Sequence, residues 1–332
     1  MKKLIPFSIA AALAYTSFAQ AQTVYTKPSG YVKHSLLPNK LNLIGMTLQN
    51  NPIASGLLTS VSGNTLTSST ANIQPVAGRT YVFEILNGTV AGAIQAVTAT
   101  NITSTTITTT DNLSALGAAA GDKFSLRLAP TLQEVFGTTS LTNGGTLFAA
   151  ASSASADNVW VSNGSGGFVK YFLHPTGQFR ISGTFTPATN IPIIYADGVY
   201  IQKTAPASIS KTLVVLGQVK TTNTNQVIAP GTNTVSIVSP VGLTLRTAGF
   251  EATLIQAASP ASADNLSIPQ ADGSFVKYFR RSGNWRLVSN PTVDLPGGTD
   301  PILPSAVIIQ RSTGSGITSN LKLTVPSYYT QL

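Results

Sequence analysis

The chain contains no cysteine. That excludes disulfides, thiolate metal sites and cysteine nucleophiles, so any core must hold by packing and burial. Histidine is nearly as scarce: His34 and His174 are the only two in 332 residues. A histidine-rich zinc or copper centre within one chain is thereby ruled out. A Ser-His-Asp triad would have to use one of the two, and neither sits in a supporting pattern. Charge is short as well. Only 9% of residues are charged, against roughly 25% in an average soluble protein. Disordered chains combine low hydrophobicity with high charge, whereas this one is 42% hydrophobic and rich in Thr, Ser, Asn and Gly. It reads as a folded protein with a hydroxyl- and amide-covered surface.

The formal charge is +9, but the basic residues are scattered. Beyond the N-terminal segment, Arg280-Arg281 is the one adjacent pair. No basic stripe marks a nucleic-acid site, and no nucleic-acid partner is expected. Long apolar runs are also lacking, so no membrane span is expected after export. The N-terminus itself reads as an export signal over residues 1–21. Lys2 and Lys3 lead a short apolar stretch from Ile5 to Phe18, and Ala19-Gln20-Ala21 is a small-x-small cleavage site. The expected destination is the cell surface or the medium, with the periplasm as a further possibility.

What is present is β-sheet pattern. β-branched and aromatic runs such as Thr80–Ile85, Phe168–Phe172, Val235–Val238 and Val307–Gln310 are broken by Gly, Pro, Asn and Ser clusters. Leu113 to Ala120 is the one helix candidate, weakened by Gly117. The predicted class is all-β.

Internal repeats are the most informative feature. Ala154-Ser155-Ala156-Asp157-Asn158 returns as Ala261-Ser262-Ala263-Asp264-Asn265, and Phe168-Val169-Lys170-Tyr171-Phe172 returns as Phe275-Val276-Lys277-Tyr278-Phe279. Looser matches follow in order: Gly177–Ile181 with Gly283–Leu287, and Val199–Lys203 with Val307–Arg311. Upstream, Gly30–Lys33 resembles Gly217–Lys220 and Gly45–Leu48 resembles Gly242–Leu245. Between the upstream and downstream matches the first copy is longer by about 90 residues, the size of a small domain.

These offsets predict two duplicated β-sandwich or barrel-like units, the first interrupted by an inserted small β domain. The first unit would be residues 22–48 and 139–212, the insert 49–138 and the second unit 213–332. The insert carries a weaker repeat of its own. Thr65–Thr67 resembles Thr106–Thr108 and Gly78–Phe83 resembles Gly121–Leu126, which suggests six strands closing as a small barrel or sandwich. The Ala-Asp-Asn segment, the Tyr-Phe strand, the Gly-x-Trp-Arg strand and the closing Ile-Gln-Arg strand resemble an uncharacterised paralogous family of secreted proteins from Verrucomicrobia. That resemblance implies export and repetition, and no activity.

Candidate chemistry is sparse. Asp157 and Asp264, each followed by Asn, read as Asx-type turns leading into strands, with calcium ligation as the alternative. Glu134, Glu251, Asp272 and Asp294 cannot be paired as glycosidase carboxylates from sequence, and Glu134 and Glu251 read as solvated strand-end residues. Gly164–Gly167 and Gly314–Gly316 lack a following helix or lysine and read as turns, not phosphate loops. Trp285 aligns with Phe179, which marks a core position. Trp160 stands where the second copy has Ser267, so it is the one candidate for ligand contact. No catalytic residue, metal or cofactor is expected. The expected function is a non-catalytic secreted or cell-surface structural or interaction protein, acting by self-association or by adhesion to surface glycans or proteins. The alternative is an extracellular glycan-binding module.

Overall fold

The structure, a computed structural model, describes residues 28–203, 209–239, 242–312 and 319–326. Residues 1–21, read above as an export signal, Gly314–Gly316, read as a turn, and Tyr328 and Tyr329, two further aromatics that could stack on a sugar, lie outside the described residues. The chain is almost wholly antiparallel sheet, with two short α-helices. The first, α1 (Leu113–Leu116), is shorter than the Leu113–Ala120 candidate, because Gly117 adopts the left-handed conformation and caps it. The second, α2 (Leu132–Phe136), was not anticipated. It starts at a capping box in which Thr131 and Glu134 satisfy each other's backbone N–H groups.

Strands β1 (Ser29–Leu36), β2 (Leu41–Gly45) and β3 (Leu48–Gln49) open the described chain. There follow β4 (Pro52–Leu57), β5 (Ser60–Ser62), β6 (Thr65–Thr67), β7 (Thr80–Ile85), β8 (Ile94–Thr98), β9 (Thr106–Thr108) and β10 (Lys123–Leu128). These seven strands pair with one another, as the sheets β4-β10-β7-β8 and β5-β6-β9. Alternation explains the pairing: Tyr81, Phe83, Phe124 and Leu126 are buried in one core, and the Phe83 and Phe124 rings stack at 5.9 Å. Pro52 lies opposite Arg127, so the segment enters and leaves at one place.

Three expectations for this segment need adjustment. It holds seven strands in two sheets and closes no barrel. The resembling segments Thr65–Thr67 and Thr106–Thr108 are hydrogen-bonded neighbours, with Leu66 opposite Ile107. And α2 buries Leu132 and Phe136 in the neighbouring core, so self-pairing ends at Leu128, short of residue 138.

The chain continues through β11 (Asn158–Ser162), β12 (Phe168–Leu173), β13 (Phe179–Ile181), β14 (Gly198–Gln202) and β15 (Lys211–Val219). It ends through β16 (Thr224–Ile228), β17 (Thr232–Ser236), β18 (Asn265–Pro269), β19 (Phe275–Arg281), β20 (Asn284–Leu287), β21 (Asn290–Asp294), β22 (Ala306–Gln310) and β23 (Ser319–Leu323). One sheet runs β13-β12-β11-β14-β2 and another β20-β19-β18-β22-β17, with β21 extending the latter. Their registers agree. Asn158 lies opposite both Phe172 and Gln202, as Asn265 lies opposite both Phe279 and Gln310. A smaller sheet covers each: β1-β15-β3 over the first and β16-β23 over the second.

This pairing moves a boundary. A division at 212/213 would cut through β15, which belongs with β1 and β3. Gly30–Lys33 and Gly217–Lys220, alike in sequence, are not matched copies. Gly30 lies opposite Gly217 in one ladder. In strand order β1 corresponds instead to β16, since His34 faces Leu213 as Gln226 faces Leu321. Likewise Gly45 ends β2, whereas Gly242 lies beyond the end of β17.

The two large sheets pack against each other through their β2-β14 and β22-β17 margins. There β14 meets β17 and β2 meets β22, the exchange a two-fold relation produces. Small residues permit the approach. A Cβ on Gly45 would lie 1.8 Å from the Ser305 carbonyl oxygen, so no other residue fits there without a backbone shift.

Trp285 and Phe179 occupy matching places, Trp285 opposite Arg280 and Phe179 opposite Leu173, and both are fully buried. The indole Nε1 donates to Glu251 Oε1 at 3.0 Å. Trp285→Phe should therefore cost about 1–2 kcal/mol, from lost volume and one hydrogen bond. Urea denaturation checks this; a neutral substitution would show that the ring is not closely packed.

Candidate functional site

The Asp-Asn motifs are the first candidates, and the structure changes their reading. Neither aspartate caps a solvated turn. Asp157 is fully buried at the foot of β11, where Oδ2 accepts the Phe148 N–H at 2.9 Å and the Lys203 ammonium at 2.9 Å. Asp264 repeats the arrangement. It accepts Ile255 N–H at 2.9 Å and Ser312 N–H at 2.8 Å, and Arg311 Nε lies 3.0 Å away. The following asparagines tie down the preceding loops, Asn158 through the Ser153 and Ala156 carbonyls and Asn265 through those of Pro260 and Ala263. Carboxylate oxygens committed to a buried cation are poor calcium ligands, so these are clamps joining loop, first strand and last strand.

Trp160 lies on the face of β11 turned toward the other large sheet. It is half-buried against the cluster of Leu43, Tyr200 and Ala306, and the Lys170 ammonium sits over its ring at 5.3 Å. Its Nε1 donates to Gln202 Oε1 at 3.4 Å. Packing against this cluster and the cation over the ring leave Trp160 less open surface for stacking on a sugar than a fully exposed ring would have. Tyr171 and Tyr278 are buried and form no platform either.

The remaining carboxylates are dispersed. Glu134 binds Arg79 at 2.9 Å and caps α2, so it is a helix-start residue and not a strand-end one. Glu251 lies in a single 3-10 turn and receives the Trp285 indole. Asp294 pairs with Arg286 at 2.6 Å. Asp272 organises a turn by accepting from Ser274, which holds its carboxyl below the usual range. No two of these form a pair across a cleft. His174 sits in an exposed turn, bonded to Thr176.

Two titratable groups, His34 buried and Asp197 half-buried, mark the seam between the large sheets. Burial pushes the His34 imidazole down to about 4, with Nδ1 3.5 Å from Ser305 Oγ and Nε2 without a hydrogen-bond partner. Burial pushes the Asp197 carboxyl up to about 7. Asp197 lies in a narrow crevice with Gln226 and Asn233. The ladders place His34 and Gln226 alike, and Ser305 and Asp197 alike, each just before the residue that starts β22 or β14.

A third group escaped the sequence reading. Glu84 is buried next to the end of β7 and receives four donors: Arg127 Nη1 at 3.3 Å, Tyr195 Oη at 3.1 Å, Thr222 Oγ1 at 2.9 Å and the Lys220 ammonium. The Tyr195 hydroxyl is pushed up by burial. Beside this group a cavity of about 360 Å³ opens between the inserted sheet and the β1-β15-β3 sheet. The available signal was Glu84 itself, one acid inside the apolar run Thr80–Ile85 of a chain with few charges.

At the open rim of this cavity, on the outer face of the same small sheet, Tyr31 stands directly opposite Leu216, with Val214 next along β15. They are 62%, 72% and 45% exposed. Among the described residues the outer edge of β1 has no strand partner. Compared with known proteins, the chain matches no protein family, no curated sequence and no solved structure.

Proposed function

We propose that this is a non-catalytic, exported interaction protein that works through its surface, by self-association at the cell surface or in the medium. The observation that carries the reading is the β1–β15 ribbon. It is a long pair of strands whose outer face presents Tyr31, Val214 and Leu216 around Lys33, the Lys33 ammonium lying over the Tyr31 ring at 5.6 Å, and whose edge is open among the described residues. Exposed apolar stripes and unprotected edges are what neighbouring chains pair with. With 9% charged residues, little like-charge repulsion opposes such contact. The dispersal of the carboxylates into separate ion pairs, and of the two histidines into a buried seam and an exposed turn, supports the non-catalytic part. Two copies of one unit, as the repeated segments suggest, would let weak contacts add.

Sedimentation velocity on the purified chain is expected to show concentration-dependent association that Leu216→Lys removes. An interface of about 10 μM affinity would be largely occupied at about 100 μM protein. A chain still monomeric there, and not retained by the cells that make it, would sink the reading.

A further inference from the structure

We infer that the cavity between the inserted sheet and the β1-β15-β3 sheet binds a small amphiphilic carboxylate, whose head meets Arg127 and whose tail lies along Leu48, Leu128, Val214 and Leu216. The cavity holds about 360 Å³, within the range of small-ligand sites. Its apolar walls come from Met46, Leu48, Val82 and Leu128, with Val214 and Leu216 at the rim, and Gln49 and Asn50 add polar side chains beside Arg127. Its polar part is built and buried. Arg127 is 4% exposed, reaches Glu84 through Nη1 at 3.3 Å, and has an Nε that makes no hydrogen bond. A buried donor without an acceptor is costly, and the acceptor whose geometry fits a guanidinium is a carboxylate.

Nothing on the lining opposes an anion strongly. Glu134 is the one acid there, and it is engaged by Arg79 and by the first turn of α2. A cationic head would face Arg127, and an uncharged one would leave the guanidinium only partly satisfied. Head-group charge is therefore the discriminating property, and the apolar walls add affinity without selecting the head.

Isothermal titration of the purified chain with decanoate, 1-decanol and decyltrimethylammonium tests the inference. Decanoate is expected to bind saturably with one site per chain, at least about tenfold tighter than either of the others. Arg127→Lys keeps the charge beside Glu84 but removes the fork, and should weaken decanoate about tenfold. Because Arg127 is buried, Val214→Asp on the exposed rim gives a second arm, read beside Leu216→Lys, which removes association but puts a cation at the same rim and so should not weaken decanoate. Val214→Asp should weaken decanoate by about the same factor as Arg127→Lys while leaving the melting temperature of the unliganded chain unchanged. Equal affinity for decanol, or no saturable decanoate binding at about 1 mM, overturns the assignment. A strictly monomeric chain that binds decanoate would sink the self-association reading and keep this one. An associating chain blind to head-group charge would do the reverse.

Discussion

Asp157→Asn is expected to destabilise the protein by about 3–5 kcal/mol, the loss typical of breaking a buried ion pair from one side. Lys203 is fully buried, and its ammonium has the Asp157 carboxylate at 2.9 Å and the Thr146 carbonyl at 3.3 Å. Asparagine keeps the size and can still accept the Phe148 N–H, so the change isolates the charge. The ammonium is then left in a dry interior with a carbonyl and a neutral amide, and must shed its proton or draw in water. Asp264→Asn should cost a comparable amount, because Arg311 is likewise buried and, like Lys203, has one other acceptor, the Ser319 hydroxyl. The double variant Asp157→Asn with Lys203→Met should recover most of the loss, since removing both charges is far cheaper than removing one. Guanidinium denaturation of the four proteins checks all of this. A cost below about 1 kcal/mol for Asp157→Asn would mean that Lys203 reaches water.

The second large effect is in pH. Asp197 is at about 7 when folded, against 3.8 for the ordinary group. Between those values the unfolded chain has lost a proton that the folded one keeps, so stability falls as pH rises from about 4 to 7. His34 is at about 4 when folded, against 6.5. Between those values the unfolded chain holds a proton that the folded one refuses, so stability falls as pH drops from about 6.5 to 4. The two slopes oppose each other and nearly cancel over the shared window. Each alone is worth up to about 1.4 kcal/mol per pH unit.

The wild type should thus change little between pH 4 and 6.5 on account of these groups. Asp197→Asn should become more stable with rising pH there, by about 2–3 kcal/mol, and should exceed the wild type at pH 7.5. His34→Gln, which places in β1 the residue found at the matching position of β16, should lose stability over the same window by a similar amount. Urea titrations at closely spaced pH values would decide. Parallel pH profiles for the wild type and both variants would show that neither group is desolvated as its surroundings suggest.

The β class was legible because alternation and turn residues are local properties. The pairing of large strands was legible in part. Phe168–Phe172 lies in β12, paired with β11, and Phe275–Phe279 in β19, paired with β18. The Asp-Asn clamps were half-visible. Lys203 and Arg311 stood at the ends of the matched segments Val199–Lys203 and Val307–Arg311, but nothing local links a base to an acid so far upstream. The β1–β15 ladder was not legible at all. Its strands are distant in sequence, and likeness between Gly30–Lys33 and Gly217–Lys220 reflects two neighbours on one sheet, which share an alternation and hence a composition. The Glu84 cluster draws on β7, β10, Tyr195, Lys220 and Thr222, a convergence that only tertiary structure brings about.

The placement of β15 also fixes an order of events. Ser29 meets Gln218, and Leu36 meets Lys211, so the first strand of the fold has no partner until nearly two-thirds of the chain has been made. In the meantime the inserted segment, whose two ends lie together, can close on its own contacts. The first unit is therefore a late closure around an early-folding middle. Its β1 stays without its ladder partner until Lys211–Gln218 has emerged, and the loop-closure entropy of joining such distant segments favours that pairing coming late.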